Sequence, residues 1–236
     1  MPEPIQLTLA PQASPPLPMP VRLASPAGYR QSVQDPAHRQ WHEGADFVAP
    51  TGTPVFAVRP GHVHAVFRED DRRTYGYGNL VVLYHPDDAV YSAYAHLSEI
   101  FVEGGAELGP GAVLGASGAT SGGRFPRMGA HLHFATRRPR RSGAAPWPGG
   151  YPDPDRSPGT FREVFVDPIE YLGRFGMGFR GGELVIAPHS PADAGQGWPV
   201  RPSIATRSSI QPSIEASEAA DASASSGWRG GRSRCS

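Results

Sequence analysis

The chain has no lysine, a single asparagine (Asn79) and a single cysteine (Cys235). One thiol closes no disulfide within these residues and offers no cysteine cluster to a metal, so the redox compartment is not written in this composition. Every basic residue other than histidine is arginine, a bias that reads as the codon chemistry of a GC-rich genome rather than as function. The 22 basic and 22 acidic residues cancel. With no net field, nothing favours nucleic acid or an anionic membrane as a partner. No apolar run approaches the ~20 residues a membrane-spanning helix needs. The first residues lack a basic region followed by an apolar segment, so no signal peptide is visible in the chain as given. Internal repeats are absent as well.

Proline and glycine, by contrast, are plentiful, at 27 and 29 residues, and they punctuate the chain. Its length allows one domain of about 150 residues plus extensions. Residues 1–20 carry Pro2, Pro4, Pro11, Pro15, Pro16, Pro18 and Pro20, a density that blocks helix and strand and reads as an arm or linker. Residues 21–175 read as the domain, with a loop insertion at 137–160. The remainder, 176–236, reads as an extension. From about 189 it is rich in Ser, Ala, Gly, Pro and Arg and too poor in large apolar residues to offset the entropy of ordering, so a disordered tail is expected.

Within the domain, short runs rich in Val, Tyr, Phe and Ala alternate with turn residues: Pro54–Val58, Gly61–Phe67, Asn79–Tyr84, Tyr91–Ala95 and Ala112–Ala116. Helical periodicity is lacking among them. A mainly β, compact, mostly antiparallel domain of the sandwich or barrel kind follows. In Val166-Asp167-Pro168-Ile169, Asp167 is expected to cap a helical turn with Pro168 at its first position.

The chemistry concentrates in Gly129-Ala130-His131-Leu132-His133-Phe134 and in Trp41-His42-Glu43-Gly44-Ala45-Asp46-Phe47. On a strand, His131 and His133 share one face while Leu132 and Phe134 share the other, which gives a chemical face and a core face. Imidazoles with a carboxylate suit zinc, which in hydrolases takes three protein ligands and leaves a fourth position open. The glutamate base of the His-Glu-x-x-His proteases is missing: Glu43 follows His42, but Asp46 stands where the second histidine would be.

His42-x-x-x-Asp46, Tyr94-Ala95-His96-Leu97-Ser98 and His131-Leu132-His133, in that order, resemble the motif set of lysostaphin-type (LytM-like) zinc metalloendopeptidases, which cut peptides in bacterial peptidoglycan. Ala49-Pro50-Thr51-Gly52-Thr53-Pro54-Val55, Gly76-Tyr77-Gly78-Asn79 and Gly111-Ala112-Val113-Leu114-Gly115-Ala116-Ser117-Gly118 fit between them, and the resemblance runs from about Val21 to Leu172. It implies a sandwich-like β fold of the duplicated hybrid motif kind with a groove bounded by loops. It further implies Zn2+ held by His42, Asp46 and His133, with His96 and His131 as catalytic groups, one taking a proton and the other bonding the oxyanion. Peptidoglycan peptides would be the partners and the periplasm or cell wall the location. The alternatives are a non-catalytic peptidoglycan-binding regulator of another hydrolase and, less well fitted by these motifs, a phosphohistidine carrier of sugar transport.

The remaining candidates have plainer readings. His62 and His64 repeat the His-x-His spacing where the resemblance has no ligand, and read as surface or structural. His38, four before His42, would be a ligand only on a helix that Pro36 and Gly44 oppose. His85 is expected to bond locally, and His189 belongs to the tail. Tyr75 and Tyr94 read as groove wall or core, and Arg30 as a substrate-orienting group or a salt bridge. Arg68–Tyr77 reads as a charged hairpin tip. Arg137-Arg138-Pro139-Arg140-Arg141 reads either as a patch steering an anionic polymer or as an exposed loop.

Overall fold

A computed structural model of the chain describes residues 12–31, 39–74, 76–147 and 152–186. Residues 1–11 of the arm, His38, Tyr75, positions 148–151 of the insertion and everything after 186, including His189 and the expected tail, lie outside them.

The strands in chain order are β1 (Leu23–Ser25), β2 (Gly28–Gln31), β3 (Arg39–His42), β4 (Ala45–Val48), β5 (Pro54–Phe56), β6 (Gly61–Phe67) and β7 (Asn79–His85). They continue with β8 (Val90–Ile100), β9 (Glu107–Leu108), β10 (Val113–Ser117), β11 (His131–Arg137), β12 (Phe165–Val166), β13 (Met177–Arg180) and β14 (Glu183–Ile186). Two short helices, α1 (Pro158–Val164) and α2 (Pro168–Gly173), flank β12. Asp167 caps α2 as its sequence suggests, its side chain accepting from the backbone N–H groups of Ile169 and Glu170.

Among the described residues one antiparallel sheet runs β1-β4-β11-β8-β7-β6-β9, with β10 joining β8 to β5 and β12 pairing with β11. Two hairpins, β2-β3 and β13-β14, stand beside it. Alternation decides which side chains are buried. On β4 and β11 the paired residues Ala45, Phe47, Leu132 and Phe134 are fully buried in the main core with Val55, Leu83, Tyr94, Leu97 and Leu114. Each large apolar side chain so buried contributes about 1.5–3 kcal/mol. The intervening residues, Asp46, His131 and His133, therefore emerge together on the other face.

Packing continues beyond the expected domain limits at both ends. Leu17 is buried, and Ser14 and Phe56 donate backbone bonds to Val58 and Pro16, so residues 12–20 of the proline-rich arm lie along the domain. At the other end Met177 and Leu184 enter the core, Phe179 stacks on Phe47 at 5.7 Å, and β14 bonds back to Val21.

Candidate metal centre

His42 is the last residue of β3, and Trp41 just before it is wedged edge-on against Tyr29, Phe161 and Phe165 at 5.1–5.5 Å. That aromatic packing fixes the strand end. The ring is then oriented by its Nδ1, 3.0 Å from the Pro26 carbonyl. A carbonyl only accepts, so Nδ1 carries the proton and Nε2 of the neutral ring is a bare lone pair. That lone pair points at Asp46 Oδ1, 3.1 Å away, and at His133 Nδ1, also 3.1 Å away. His133 Nδ1 is in turn 2.9 Å from the same Asp46 oxygen, because β11 and β4 pair His133 directly with Asp46.

All three residues are buried. Burial opposes the charge of Asp46, yet the carboxyl is held below the ordinary carboxylate range, chiefly by the hydrogen bond with His133. Its second oxygen is taken by Arg30, whose guanidinium donates to Oδ2 at 2.9 Å, leaving Oδ1 alone turned to the histidines. Arg30 thus forms a salt bridge, the plainer of its two readings. His133 is held neutral by burial. Its Nε2 has no hydrogen-bond partner among the described residues and lies against Gly44, where a Cβ would come within 2.6 Å. A side chain at position 44 would displace the ring.

A bare imidazole nitrogen and a carboxylate oxygen at 3.1 Å repel unless a proton or a cation sits between them. Donors in a tetrahedral zinc site stand roughly 3.3 Å apart, given bonds of about 2.0–2.1 Å. The donor set of two imidazoles and one carboxylate, all buried and converging, therefore fits a zinc ion with little rearrangement.

His96 reaches the same face against the alternation of its strand. Tyr94 packs in the main core and Ala95 on the opposite side, so His96 would point back to the core if β8 stayed regular. Instead it adopts a positive φ of 63°, a sparsely allowed conformation for a non-glycine residue, and its ring comes to 4.7 Å from His131 and 5.6 Å from His133. Its Nδ1 donates to Thr120 O at 2.8 Å, and burial together with the nearby His133 and His131 pushes its pKa down to about 3. His131, partly exposed, donates from Nδ1 to Gly129 O at 2.8 Å, and its Nε2 stands 3.6 Å from Asp46 Oδ1. With Nδ1 of each ring anchored on a backbone carbonyl, Nε2 is the atom each has left for the centre. The close approach of strands beneath them requires Gly118, where a Cβ would meet Ser98 N at 2.7 Å.

Residues 40–145 match the sequence profile of Peptidase family M23. The chain carries an M23 peptidase domain. Over 118 residues it is 38% identical to the DD-carboxypeptidase/endopeptidase Mpg of Neisseria meningitidis, covering 49% of this chain and 24% of that protein. Over 94 residues it is 38% identical to the peptidoglycan DD-endopeptidase ShyA of Vibrio cholerae, covering 39% of this chain and 19% of that one. The chain thus spans about a fifth to a quarter of the length of these relatives. The antimicrobial peptidase lysostaphin from Staphylococcus simulans superimposes with a TM-score of 0.50 at 22% identity, over 78% of this chain and 61% of that one, a likeness of fold.

The other candidates fall away from the centre of the M23 domain. His62 and His64 lie on β6 against Tyr84 and Tyr91. His85 is buried between Pro60 O and Ser92 Oγ, and Tyr94 is a core residue bonded by Val58 N. The charged tip around Arg68–Asp71 lines an open cavity of about 990 Å³ with Asn79, Gly122 and Gly123, and none of His42, Asp46 and His133 lines it.

Arg137 corrects the reading of the arginine run. It neither steers a polymer nor sits in an exposed loop: it ends β11, buried, with Nε and Nη2 donating to the two oxygens of Glu43 at 2.9 and 2.7 Å. Tyr77 also donates to Glu43. Sequence reasoning missed this pair, although the alternation His133, Ala135, Arg137 places Arg137 on the chemical face.

Proposed function

We propose that the M23 domain is a zinc-dependent endopeptidase that hydrolyses peptide bonds in bacterial peptidoglycan stem peptides or cross-links. The observation that carries this reading is the convergence of His42 Nε2, Asp46 Oδ1 and His133 Nδ1 within 2.9–3.1 Å of one another. His42, Asp46 and His133 would hold the ion. Zinc, when bound, supplies Lewis acidity, making water acidic near pH 7 and polarising an amide carbonyl.

The protein's own groups do the rest. Arg30 holds Asp46 turned, so that one oxygen serves the centre. His96 and His131 each anchor Nδ1 on a backbone carbonyl, which leaves Nε2 for the chemistry. One ring, with Nε2 bare, would accept a proton, and the other, with a proton on Nε2, would donate to developing negative charge. Histidine suits both tasks because its ordinary pKa lies near neutrality. The names of the relatives support peptidoglycan as the substrate class, and the working protein would then act in the periplasm or cell wall.

The test is mass spectrometry of peptides released from purified peptidoglycan by zinc-loaded protein, with chelated protein and His131→Ala as controls. New peptide ends that depend on both metal and His131 are expected. Tight zinc binding without cleavage of any wall chemistry would favour the regulator reading instead.

A further inference from the structure

Glu43 follows a proposed metal ligand and Arg137 stands four residues after another, and each side chain is about 1% exposed. Few proteins bury a charge pair so completely, because desolvation of both ions offsets much of their attraction. Here the pair is fully satisfied. Glu43 receives both Nε and Nη2 of Arg137 and the hydroxyl of Tyr77, while Arg137 Nη1 donates to Pro146 O at 3.0 Å and its guanidinium lies 3.9 Å over the Trp147 ring.

The pair spans the two segments that the centre depends on. Glu43 lies between His42 and Gly44, and Gly44 is the surface on which the His133 ring rests. Arg137 belongs to β11, the strand that carries His133. Tyr77 adds a third tie: its ring is 5.9 Å from His133, and its carbonyl accepts the backbone N–H of His96 at 2.8 Å. A shift of the 42–44 backbone would change the spacing of His42 Nε2 from His133 Nδ1 directly.

We propose that Glu43 and Arg137 are positioning residues that clamp the 42–44 segment to β11, setting the spacing of the His42 and His133 donor atoms and tying residues 146–147 to the centre. The proposal rests on the metal assignment above and extends it. Glu43 thereby has a role distinct from the proton-transferring glutamate of His-Glu-x-x-His enzymes: both its oxygens are engaged away from the ligands.

The test separates positioning from bulk stability. In the double variant Glu43→Leu, Arg137→Met the charges leave together, so no ion is stranded, and replacing a buried ion pair by apolar residues of similar volume is often neutral for stability. The metal-free double variant is expected to melt near the wild type, while its zinc dissociation constant, measured by chelator competition, rises about 10–100-fold. Wild-type zinc affinity in the folded double variant would overturn the proposal. Should that variant fail to fold, Arg137→Lys keeps the charge but loses the fork that spans both carboxylate oxygens. It is expected to bind zinc more weakly at unchanged melting temperature, and unchanged affinity would again overturn the proposal. A wild-type chain that binds zinc yet cuts no peptidoglycan would defeat the peptidase reading and leave these affinity measurements intact.

Discussion

Among the described residues, the polar networks around Arg59 and around Asp46 differ in one respect. At Arg59 every charge is answered: its guanidinium grips both oxygens of Asp88 at 2.9 and 3.1 Å, Tyr171 donates to the same carboxylate at 2.8 Å, and Phe175 covers the cation at 4.2 Å. At Asp46 the acceptors instead confront each other, with the bare Nε2 of His42 facing a carboxylate oxygen at 3.1 Å. A satisfied network is a fastener. One whose lone pairs converge is built around something positive, and that difference, more than the presence of histidines, marks the functional face.

If this contrast is right, breaking the two networks should fail in different currencies. The largest effect is expected for Asp46→Ala and His133→Ala. Both should lose zinc from the purified protein by metal analysis and drop peptidoglycan cleavage to background, while the metal-free chains melt near the wild type. Next come His131→Ala and His96→Ala, which should keep one zinc per chain and lose about 10²–10⁴ in turnover, the usual contribution of a positioned acid or base. Single-turnover kinetics on a soluble stem peptide checks this, and zinc loss from either variant would make that histidine a ligand instead.

Asp88→Ala should then cost stability alone. It strands a mostly buried arginine, and removing one partner of a buried pair costs about 3–5 kcal/mol; because Arg59 and Asp88 retain some exposure, the lower end is expected. Zinc affinity should not move. The smallest effect is expected for Ser92→Ala, which removes the hydroxyl 2.7 Å from His85 Nε2 and should cost about 1–3 kcal/mol by denaturant titration, without loss of activity. A drop in turnover there would mean that the His85–Ser92 pair is coupled to the site.

Sequence patterns revealed much of this architecture because alternation on strands is a local property. Leu132 and Phe134 declared one face of β11 and His131 and His133 the other, and the structure places them so. What stayed hidden depends on departures from regularity or on partners distant in the chain. His96 reaches the centre through a left-handed backbone that no propensity signals. Arg30 spends its charge on Asp46 Oδ2, a contact that only the β2-β3 hairpin creates. Arg137 looked like the first of an exposed arginine run, because Glu43, its counter-ion, is separated from it by 94 positions.

That separation has a mechanical side. His42 and His133 are 91 positions apart, and an ion gripping both would close a long loop of chain that itself holds no cysteine. Tying distant points together shrinks the freedom of the unfolded chain more as the loop lengthens. An ion that binds the folded form alone also raises its stability with the logarithm of ion concentration. The catalytic centre would thus double as a reversible staple, and the domain's toughness would follow the supply of metal outside it.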